Sequence, residues 1–454
     1  MRRIYSNAAT VLVWIGHDDG STAQQAFRTL SEINVYHSEG CNDAQKLRSY
    51  IKEKISVDEL DSWVIGVLEA IAPVFAKSWF KRLWVVQEVC SAQKAVMIFG
   101  KLEISMERMT RVVKLLNKLD EVNKNQQSLD IVSFRNLGRI EGYEFTDKRD
   151  RLYALLGMVE ESTFCADYNL SVSETYIRFA RWALDYSPSL NLLSYARGTS
   201  DDQWGVPSWS PSLHMDGLPV PLLHIEHFNA SRYQIGQKKG WSRPVCADGE
   251  LRLKGRVIDC VWSLGTTWTN ASPPDLKRER LRRCATIANL TGNTGHATGT
   301  GSNNDSTDDQ GSGRQRYKRF CRAMTLDISD QWQRAPHEQC GWFRRYFQAT
   351  INTDALQPRR PESEWEVERI TALLSTWAHC RRFCVTEEDR FGWIPWKAQV
   401  GNDICVFQNA RIPYVIRALP DGRYVLVGEC WLEGMMEGEA MDLPDFQWKD
   451  IALV

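Results

Sequence analysis

An apolar segment near residue 1 constrains the fold more than any other feature. Residues 9–16 (ATVLVWIG) are apolar and rich in β-branched side chains, and turn-forming Gly and Asp residues follow them. A continuous apolar run of this length is typical of a buried strand in a parallel sheet. Apolar residues recur at helical spacing over 21–33 and 58–75, and residues 94–99 form a second β-prone stretch. This alternation predicts an α/β layer at the N-terminal end.

The balance of charge argues against two classes of partner. Lys and Arg total 56 and Asp and Glu total 57, which gives a formal net charge of −1. No overall field therefore draws the chain to nucleic acid or to an anionic membrane. The longest apolar window, residues 63–76, is interrupted by Glu69 and Pro73 and is too short to span a bilayer. We expect a soluble protein with no nucleic-acid partner and no membrane insertion.

Cysteine usage indicates a reducing compartment. The 454-residue chain has 12 cysteines without a CxxC pair, and no signal-peptide pattern precedes them. Free thiols and a cytoplasmic location are expected from this usage.

The sequence pattern changes twice along the chain, and three regions follow from these changes. Residues 1–160 carry the α/β pattern. Residues 161–245 are expected to be a helical and irregular connecting region, in which a capping-box helix starts after Ser171 and ends near Tyr186. Residues 246–454 begin with a β-prone stretch and are expected to be a β-rich C-terminal domain. The fold class as a whole is therefore α+β.

Two features divide the C-terminal region. Most residues of 291–315 are Gly, Ser, Thr, Asn or Asp. Such a composition cannot bury enough apolar surface to offset the entropy of ordering, so a disordered insertion is predicted there. Residues 365–382 have helical spacing, and short strands alternating with Gly and Pro turns follow. Residues from 383 onwards are expected to close into a small antiparallel barrel or sandwich.

A tryptophan-rich segment is the first candidate site. In residues 78–89 (SWFKRLWVVQEV), Glu88 lies four residues after Trp84, so on a helix the two side chains share a face. A carboxylate beside an indole is partly desolvated, which suits it for polar chemistry in a cleft. The alternative is that Arg82 and Glu88 form a structural pair around two packed tryptophans. The residues by themselves favour this alternative, because structural ion pairs also perturb the pKa of a carboxylate.

A dense run of charges is the second candidate site. Asp147, Arg149 and Asp150 stand in residues 146–157 (TDKRDRLYALLG), directly before an apolar helix that Gly157 can end. Acidic residues near a helix N-terminus stabilise the helix by roughly 0.3–1 kcal/mol. A capping role is therefore favoured over a binding role.

Metal and cofactor sites find little support in the sequence. His379, Cys380 and Cys384 are closely spaced, and His224 and His227 lie near each other, but neither set supplies four zinc ligands. The sequence contains no P-loop, no GxGxxG fingerprint and no GxSxG elbow. The 18 tryptophans lack the interleaved basic residues of a base-stacking surface, so core packing is expected for them. We predict no metal and no resident cofactor.

Taken in order, these segments resemble the fungal heterokaryon incompatibility (HET) family. Residues 4–16 are similar to its IYSxAxxVxVWLG segment, residues 79–88 match WxxRxWxxQE, and residues 147–157 resemble DxRDxxyALLG. Residues 391–440 are similar to the ending of the long HET proteins, GxxP…GD…PxxLR…YxLVGExYxxGxMxGEA. The resemblance runs in family order from the first residues almost to the last.

The resemblance also implies a fold for the N-terminal region. Family members usually carry SYxWG and LWIDxxCIxQ strands ahead of the IYSxA segment, and neither motif is present in this sequence. We therefore expect residues 1–160 to be an N-terminally incomplete HET domain. The HET domain has been compared with the TIR fold, which implies a TIR-like α/β arrangement for this region.

The function implied by the resemblance is fungal self/non-self recognition (allorecognition) with programmed cell death signalling, through protein partners or through self-association. Active TIR-fold members cleave NAD with a glutamate on a helix after a Ser-x-Trp stretch, and Ser78, Trp79 and Glu88 occupy a similar arrangement. One alternative is therefore a NAD glycohydrolase with Glu88 catalytic and NAD as its substrate. Another is a scaffold recruited as an enzyme of secondary metabolism. The implied binding residues are Trp79, Arg82, Trp84, Gln87, Asp147, Arg149 and Asp150.

Overall fold

The chain forms two compact units. In the computed structural model, the units are Met1–Asn169 and Leu170–Val454. The residues that the structure describes are 2–17, 22–38, 66–67, 69–112, 144–156, 163–186, 189–196, 205–211, 219–232, 242–247, 249–269, 274–290, 307–329, 332–351 and 364–454.

A three-stranded sheet organises the first unit. Its strands are β1 (Val11–Trp14), β2 (Ala95–Phe99) and β3 (Leu102–Ser105), in the order β1-β2-β3. β1 pairs with β2 in parallel, whereas β2 and β3 form an antiparallel pair. The strands predicted within 9–16 and 94–99 are therefore confirmed.

The described part of the first unit also contains helices. They are α1 (Arg2–Asn7), α2 (Thr22–Ser38), α3 (Val85–Cys90) and α4 (Asp150–Leu156), and residues 69–75 and 106–112 are also helical. α2 confirms the helix predicted over 21–33. The helix predicted over 58–75 is present from 69 to 75, and its residues 58–65 and the predicted stop at Gly157 lie outside the described residues.

β1 is buried on one face only, which corrects the prediction of a fully buried strand. Its two valines are buried, whereas Leu12 is 64% exposed and Trp14 is 49% exposed. The buried face belongs to a core that includes Phe27 of α2 and Phe99 of β2, whose ring centroids are 6.4 Å apart. Apolar character alone does not determine which face is covered, because coverage depends on elements elsewhere in the chain.

The second unit is built on a nine-stranded sheet that closes on itself. Its strands are β4 (Val245–Ala247), β5 (Glu250–Thr267), β6 (Arg381–Thr386), β7 (Phe391–Pro395), β8 (Asp403–Phe407), β9 (Tyr414–Ala418), β10 (Tyr424–Glu429), β11 (Trp431–Leu432) and β12 (Lys449–Leu453). The order β5-β12-β10-β9-β8 returns to β5, because β5 pairs with both β12 and β8. From Val261 onwards β5 leaves this ring and pairs with β6.

The ring corrects the prediction that residues from 383 onwards close a barrel by themselves. β5 precedes these residues by more than a hundred positions. It closes the ring, because it pairs with β12 on one side and with β8 on the other. The ring is also not wholly antiparallel, since β10 and β12 pair in parallel. Register shifts along β5, one of them between Val257 and Asp259, indicate the bulges by which a long strand bends from one sheet into another.

The helices of the second unit include the predicted capping-box helix. They are α5 (Val172–Tyr186), α6 (Pro274–Ile287), α7 (Thr307–Met324), α8 (Gln339–Ile351) and α9 (Glu364–Trp377), with 3-10 helices at Leu190–Tyr195, Leu222–His224 and Glu439–Asp442. α5 ends at Tyr186 as predicted, and Ser171 and Glu174 exchange hydrogen bonds at its start. Within the described ranges, no helix combines the length and apolar character that a bilayer span requires.

The C-terminal region contains, besides its strands, the helices α6 to α8 between β5 and the predicted helix α9. Two expectations for this region need correction. α7 begins at Thr307, so the last part of the insertion predicted over 291–315 is helical, while 291–306 lies outside the described residues. The helix forms despite its polar composition because Phe320 is fully buried in the core, and tertiary packing supplies most of the stability of a helix. α9 ends at Trp377 rather than at Arg382, after which Cys380 adopts a left-handed φ of 54°.

Candidate functional site

The segment that carries the two tryptophans folds as two short helices with a break between them. Ser78–Lys81 forms a 3-10 helix, Arg82 is extended with φ −81° and ψ 127°, and α3 begins after Trp84. Arg82 bridges Glu144, whose amide donates to the Lys81 carbonyl over 2.5 Å. This bridge satisfies backbone groups that a continuous helix would have paired internally.

The two tryptophans on either side of this break differ in burial. The Glu88 amide donates to the Trp84 carbonyl over 3.2 Å, so these two residues lie one helical turn apart, as predicted. Trp79 belongs to the 3-10 helix, is 8% exposed and contacts Phe80 edge-on with 5.0 Å between ring centroids. Trp84 packs against the same core but is only partly buried. Trp79 is thus a core residue, whereas Trp84 lies at the edge of the core.

Glu88 has a partner, Tyr5, that is not among the predicted site residues. The Tyr5 hydroxyl donates a hydrogen bond to the Glu88 carboxylate, and α1 packs against α3. Burial raises the pKa of Tyr5, the negative charge and hydrogen bond of Glu88 raise it further, and the nearby Arg82 opposes the rise. Tyr5 belongs to the IYSxA segment, which contributed to the family resemblance but was not interpreted as part of a site. A half-buried carboxylate oriented in this way can stabilise a positive centre.

Gln87, which precedes Glu88 on α3, is buried. It is 6% exposed, and within the described ranges its side-chain oxygen has no hydrogen-bond partner. The residue therefore lies on the core side of α3, while Glu88 faces the less buried side. Gln87 was predicted as a binding residue, and its burial favours a structural role.

The charged run before α4 forms a compact network of its own. Arg149 donates from Nε to Asp147 Oδ1 over 2.9 Å and from its backbone amide to the same oxygen over 2.9 Å. These bonds hold the pKa of the Asp147 carboxyl below its usual range. Arg149 also donates from Nη1 to the Tyr168 carbonyl over 2.8 Å. The predicted residues Asp147 and Arg149 are thus partners of each other.

Two tyrosines complete the network. The Tyr168 hydroxyl donates to Asp150 Oδ1 over 2.6 Å, and its ring meets that of Tyr153 edge-on at 5.0 Å. Burial and the hydrogen bond to Asp150 raise the pKa of Tyr168. Tyr153 donates to the Asp167 carbonyl over 2.8 Å. These bonds tie the segment 163–169 to α4, a connection that no sequence pattern indicated.

The structure brings the two candidate segments together. α3 and α4 pack against each other, and the Arg82–Glu144 bridge joins the segments that precede them. The predicted residues are therefore neighbours, and two groups of side-chain bonds hold them. One set joins Glu88 to Tyr5, and the other joins Asp147, Arg149 and Asp150 to residues near Tyr168.

Metal ligation receives no geometric support in the part of the chain that the structure describes, since no group of three or more His, Cys, Asp or Glu side chains converges there. His379 Nε2 and Cys380 Sγ are 3.4 Å apart, but Cys384 is buried within β6. The close spacing of the three residues therefore brings only His379 and Cys380 together.

Comparison with known proteins places these features in a family. Residues 1–88 match the model of the family "Heterokaryon incompatibility protein (HET)". Residues 315–447 match the "Het-6 beta-barrel domain". The chain is 21% identical to heterokaryon incompatibility protein 6, OR allele, of Neurospora crassa, with 97% of this chain and 78% of that protein aligned.

The chain therefore carries two domains of the heterokaryon incompatibility (HET) family, the HET domain and the Het-6 barrel. No solved structure matches it.

The two family matches include some of the candidate residues and strands and leave others out. The HET match includes Tyr5, Trp79 and Arg82 and ends at Glu88, whereas the Asp147–Arg149 network lies outside both matches. The Het-6 barrel match contains β6 to β11 but neither β5 nor β12, although both strands belong to the closed ring.

Proposed function

We propose that this HET-family chain acts in fungal self/non-self recognition, where it interacts with protein partners and leads to programmed cell death. The observation that carries the proposal is the alignment of 97% of the chain with a protein named for heterokaryon incompatibility. An alignment of this extent includes both the N-terminal unit and the barrel.

The outer face of β1 supports interaction with proteins as the mode of action. Leu12 and Trp14 are exposed on this face, and in the described ranges β1 is hydrogen-bonded to a neighbouring strand on one side only. Edge strands with exposed apolar side chains are the surfaces on which proteins add further chains.

Expression of the chain in an incompatible fungal strain tests both parts of this proposal. The intact chain is expected to cause growth arrest and uptake of a vital dye, and the double variant Leu12→Ser/Trp14→Ser is expected to lose both effects. Leu102→Ser is the matched control, because Leu102 is 37% exposed on β3 of the same sheet. Absence of any growth arrest with the intact chain would contradict the recognition function, and full activity of the double variant would contradict interaction through β1.

A second candidate function, cleavage of NAD, is favoured by the surroundings of Glu88. In that reaction the bond between the ribose carbon and the nicotinamide nitrogen breaks, water adds to the ribose carbon, and a proton is released. The Glu88 carboxylate, oriented by Tyr5, would stabilise the oxocarbenium-like centre. The supporting likeness to TIR-fold enzymes rests on Ser78, Trp79 and Glu88 and is an analogy of arrangement.

Purified protein incubated with NAD tests this second function directly. Release of nicotinamide by the intact chain, lost in Glu88→Gln and retained in Glu103→Gln, would establish it. Glu103 is a suitable control because it is an exposed glutamate of β3 in the same unit. Equal release by the two variants, or no release by the intact chain, would exclude catalysis by Glu88.

A further inference from the structure

A large cleft in the second unit has a surplus of positive charge. Its volume is about 1080 Å³, and its walls include α7, α8 and the loop that follows β11. Ligand sites in proteins commonly occupy roughly 300–1,000 Å³. The cleft is therefore large enough for a small organic molecule, and it involves none of the residues on which the proposed function depends.

Half of the cations that line the cleft are already neutralised. Arg319 places Nε and Nη2 each 2.9 Å from the Glu433 carboxylate, in a bidentate pair. Arg322 pairs with Asp327, and Arg334 pairs with Glu437. The fourth acid, Glu439, accepts a hydrogen bond from the Glu437 backbone amide. The acidic side chains of the cleft are thus engaged.

Three further cations in the cleft lack such neutralisation. They are Arg314 and Lys318, one turn apart on α7, and Arg344 on α8. Across the described ranges no carboxylate forms an ion pair with any of the three. The positive charge of Arg344 opposes the rise in the pKa of Tyr317 and of Cys321, so Arg344 lies close to these two residues of α7. Three cations on two facing helices attract an anion that the protein itself does not supply.

The interior of the cleft is less polar than its rim. Phe228, Trp431 and Met436 line it together with Leu326, and all four are buried. An apolar floor beside a cationic rim fits a ligand that has a charged group and an apolar or aromatic part. Guanidinium groups match phosphate oxygens in a bidentate geometry, and the ammonium group of lysine also binds phosphate.

We infer that this cleft binds a small organic phosphate, with the phosphate on Arg314, Lys318 and Arg344 and the organic part against Phe228, Trp431 and Met436. Phosphate binding here would place a ligand between α7, α8 and the loop after β11. The site lies almost wholly within the Het-6 barrel match, and it is chemically independent of Glu88.

Calorimetric titration of the full chain at low ionic strength tests this inference, with ADP as the organic phosphate, pyrophosphate as the inorganic one and adenosine as the uncharged probe. ADP is expected to bind more tightly than pyrophosphate, and adenosine to bind weakly. The double variant Lys318→Gln/Arg344→Gln is expected to weaken ADP binding by at least about tenfold, since both charge-assisted hydrogen bonds to the phosphate are lost. Added salt should weaken ADP binding to the intact chain by screening.

Two further variants make the result decisive. Lys318→Arg keeps the charge and should retain ADP binding, which separates loss of charge from loss of fold. Arg283→Gln removes an exposed arginine from α6, outside the cleft, and should bind ADP as the intact chain does. The inference is overturned if ADP does not bind, or if it binds the double variant and the intact chain equally. Pyrophosphate binding as tight as that of ADP would overturn the assignment of the apolar floor.

Discussion

Arg381 Nη2 and Glu429 Oε1 are 2.6 Å apart in the interior of the second unit, where the two side chains are only 1% and 2% exposed. Arg381 also donates to the carbonyls of Trp377 and Val220, over 2.6 Å and 2.9 Å. Glu429 accepts from the Leu222 amide over 2.8 Å. The pair therefore joins the end of α9 to β10 and to the segment around 220–222.

Removal of one partner of this pair should strongly destabilise the second unit. Arg381→Met or Glu429→Gln is expected to lower the free energy of unfolding by about 3–5 kcal/mol, because the remaining group is left buried without its partner. The double variant Arg381→Met/Glu429→Leu should lose less than the sum of the two. Urea denaturation followed by tryptophan fluorescence measures the change. Asp421→Asn, which breaks an exposed pair with Arg423, is the control and should leave the midpoint unchanged.

Gly255 should not tolerate a side chain in the barrel. A Cβ atom there would lie 2.7 Å from Phe407 Cδ1 and 2.8 Å from Ile451 Cδ1. Gly255→Ala is expected to lower the free energy of unfolding by about 1–3 kcal/mol through overpacking. Gly341→Ala is the matched control, because the nearest atom to its Cβ is 3.7 Å away and the position is helical. Thermal unfolding should show that the control variant is stabilised by about 0.5–1 kcal/mol. Unchanged stability of Gly255→Ala would contradict the close packing of Phe407 and Ile451 around Gly255.

The capping box of α5 should produce a pH-dependent contribution to stability. Ser171→Ala is expected to lower the free energy of unfolding by about 1 kcal/mol at neutral pH. Hydrogen bonds from Ser171 lower the pKa of Glu174 from its ordinary value of 4.5. The contribution of Glu174 is therefore present above pH 4.5 and is lost as the pH falls through the lowered value. Unfolding curves across this range should be less pH-dependent in Glu174→Gln, and identical curves would contradict the capping role.

The pKa of Asp147, like that of Glu174, should be lowered by the fold, and Arg149 should be the cause. Arg149 lowers the pKa of Asp147 through its side-chain and backbone hydrogen bonds, so the carboxylate form is favoured in the folded protein. Arg149→Gln is expected to return the pKa of Asp147 towards its ordinary range. A carbon-detected NMR titration of the aspartate carboxyls measures the shift. Lys94→Gln, at an exposed position before β2, should leave this pKa unaltered.

Local patterns in this chain were predictable because their interactions span only a few residues. The capping box depends on Ser171 and Glu174, three positions apart, and the helix begins and ends where the pattern indicated. The positions of β1 and β2 also followed from apolar runs bounded by turn residues. The turn of helix that relates Trp84 to Glu88 was predicted correctly for the same reason.

Features that depend on distant residues were not predictable from these patterns. The helical spacing of 365–382 placed Arg381 in a helix, yet Arg381 begins β6, and its guanidinium is buried against Glu429. The hydrogen-bond partner of Glu88 is Tyr5, more than eighty residues earlier. In each case the decisive contact joins elements that no local pattern relates.

The amino-acid sequence by itself determined the family, the capping-box helix and the places where strands occur, because side-chain type and spacing carry that information. Only the tertiary structure decided which face of β1 is covered, that β5 closes the barrel with β8 and β12, and that cations of α7 and α8 face one cleft. The physical reason is that burial, ring closure and unbalanced charge are properties of groups brought together by the fold, and their free energies depend on neighbours far away in the chain.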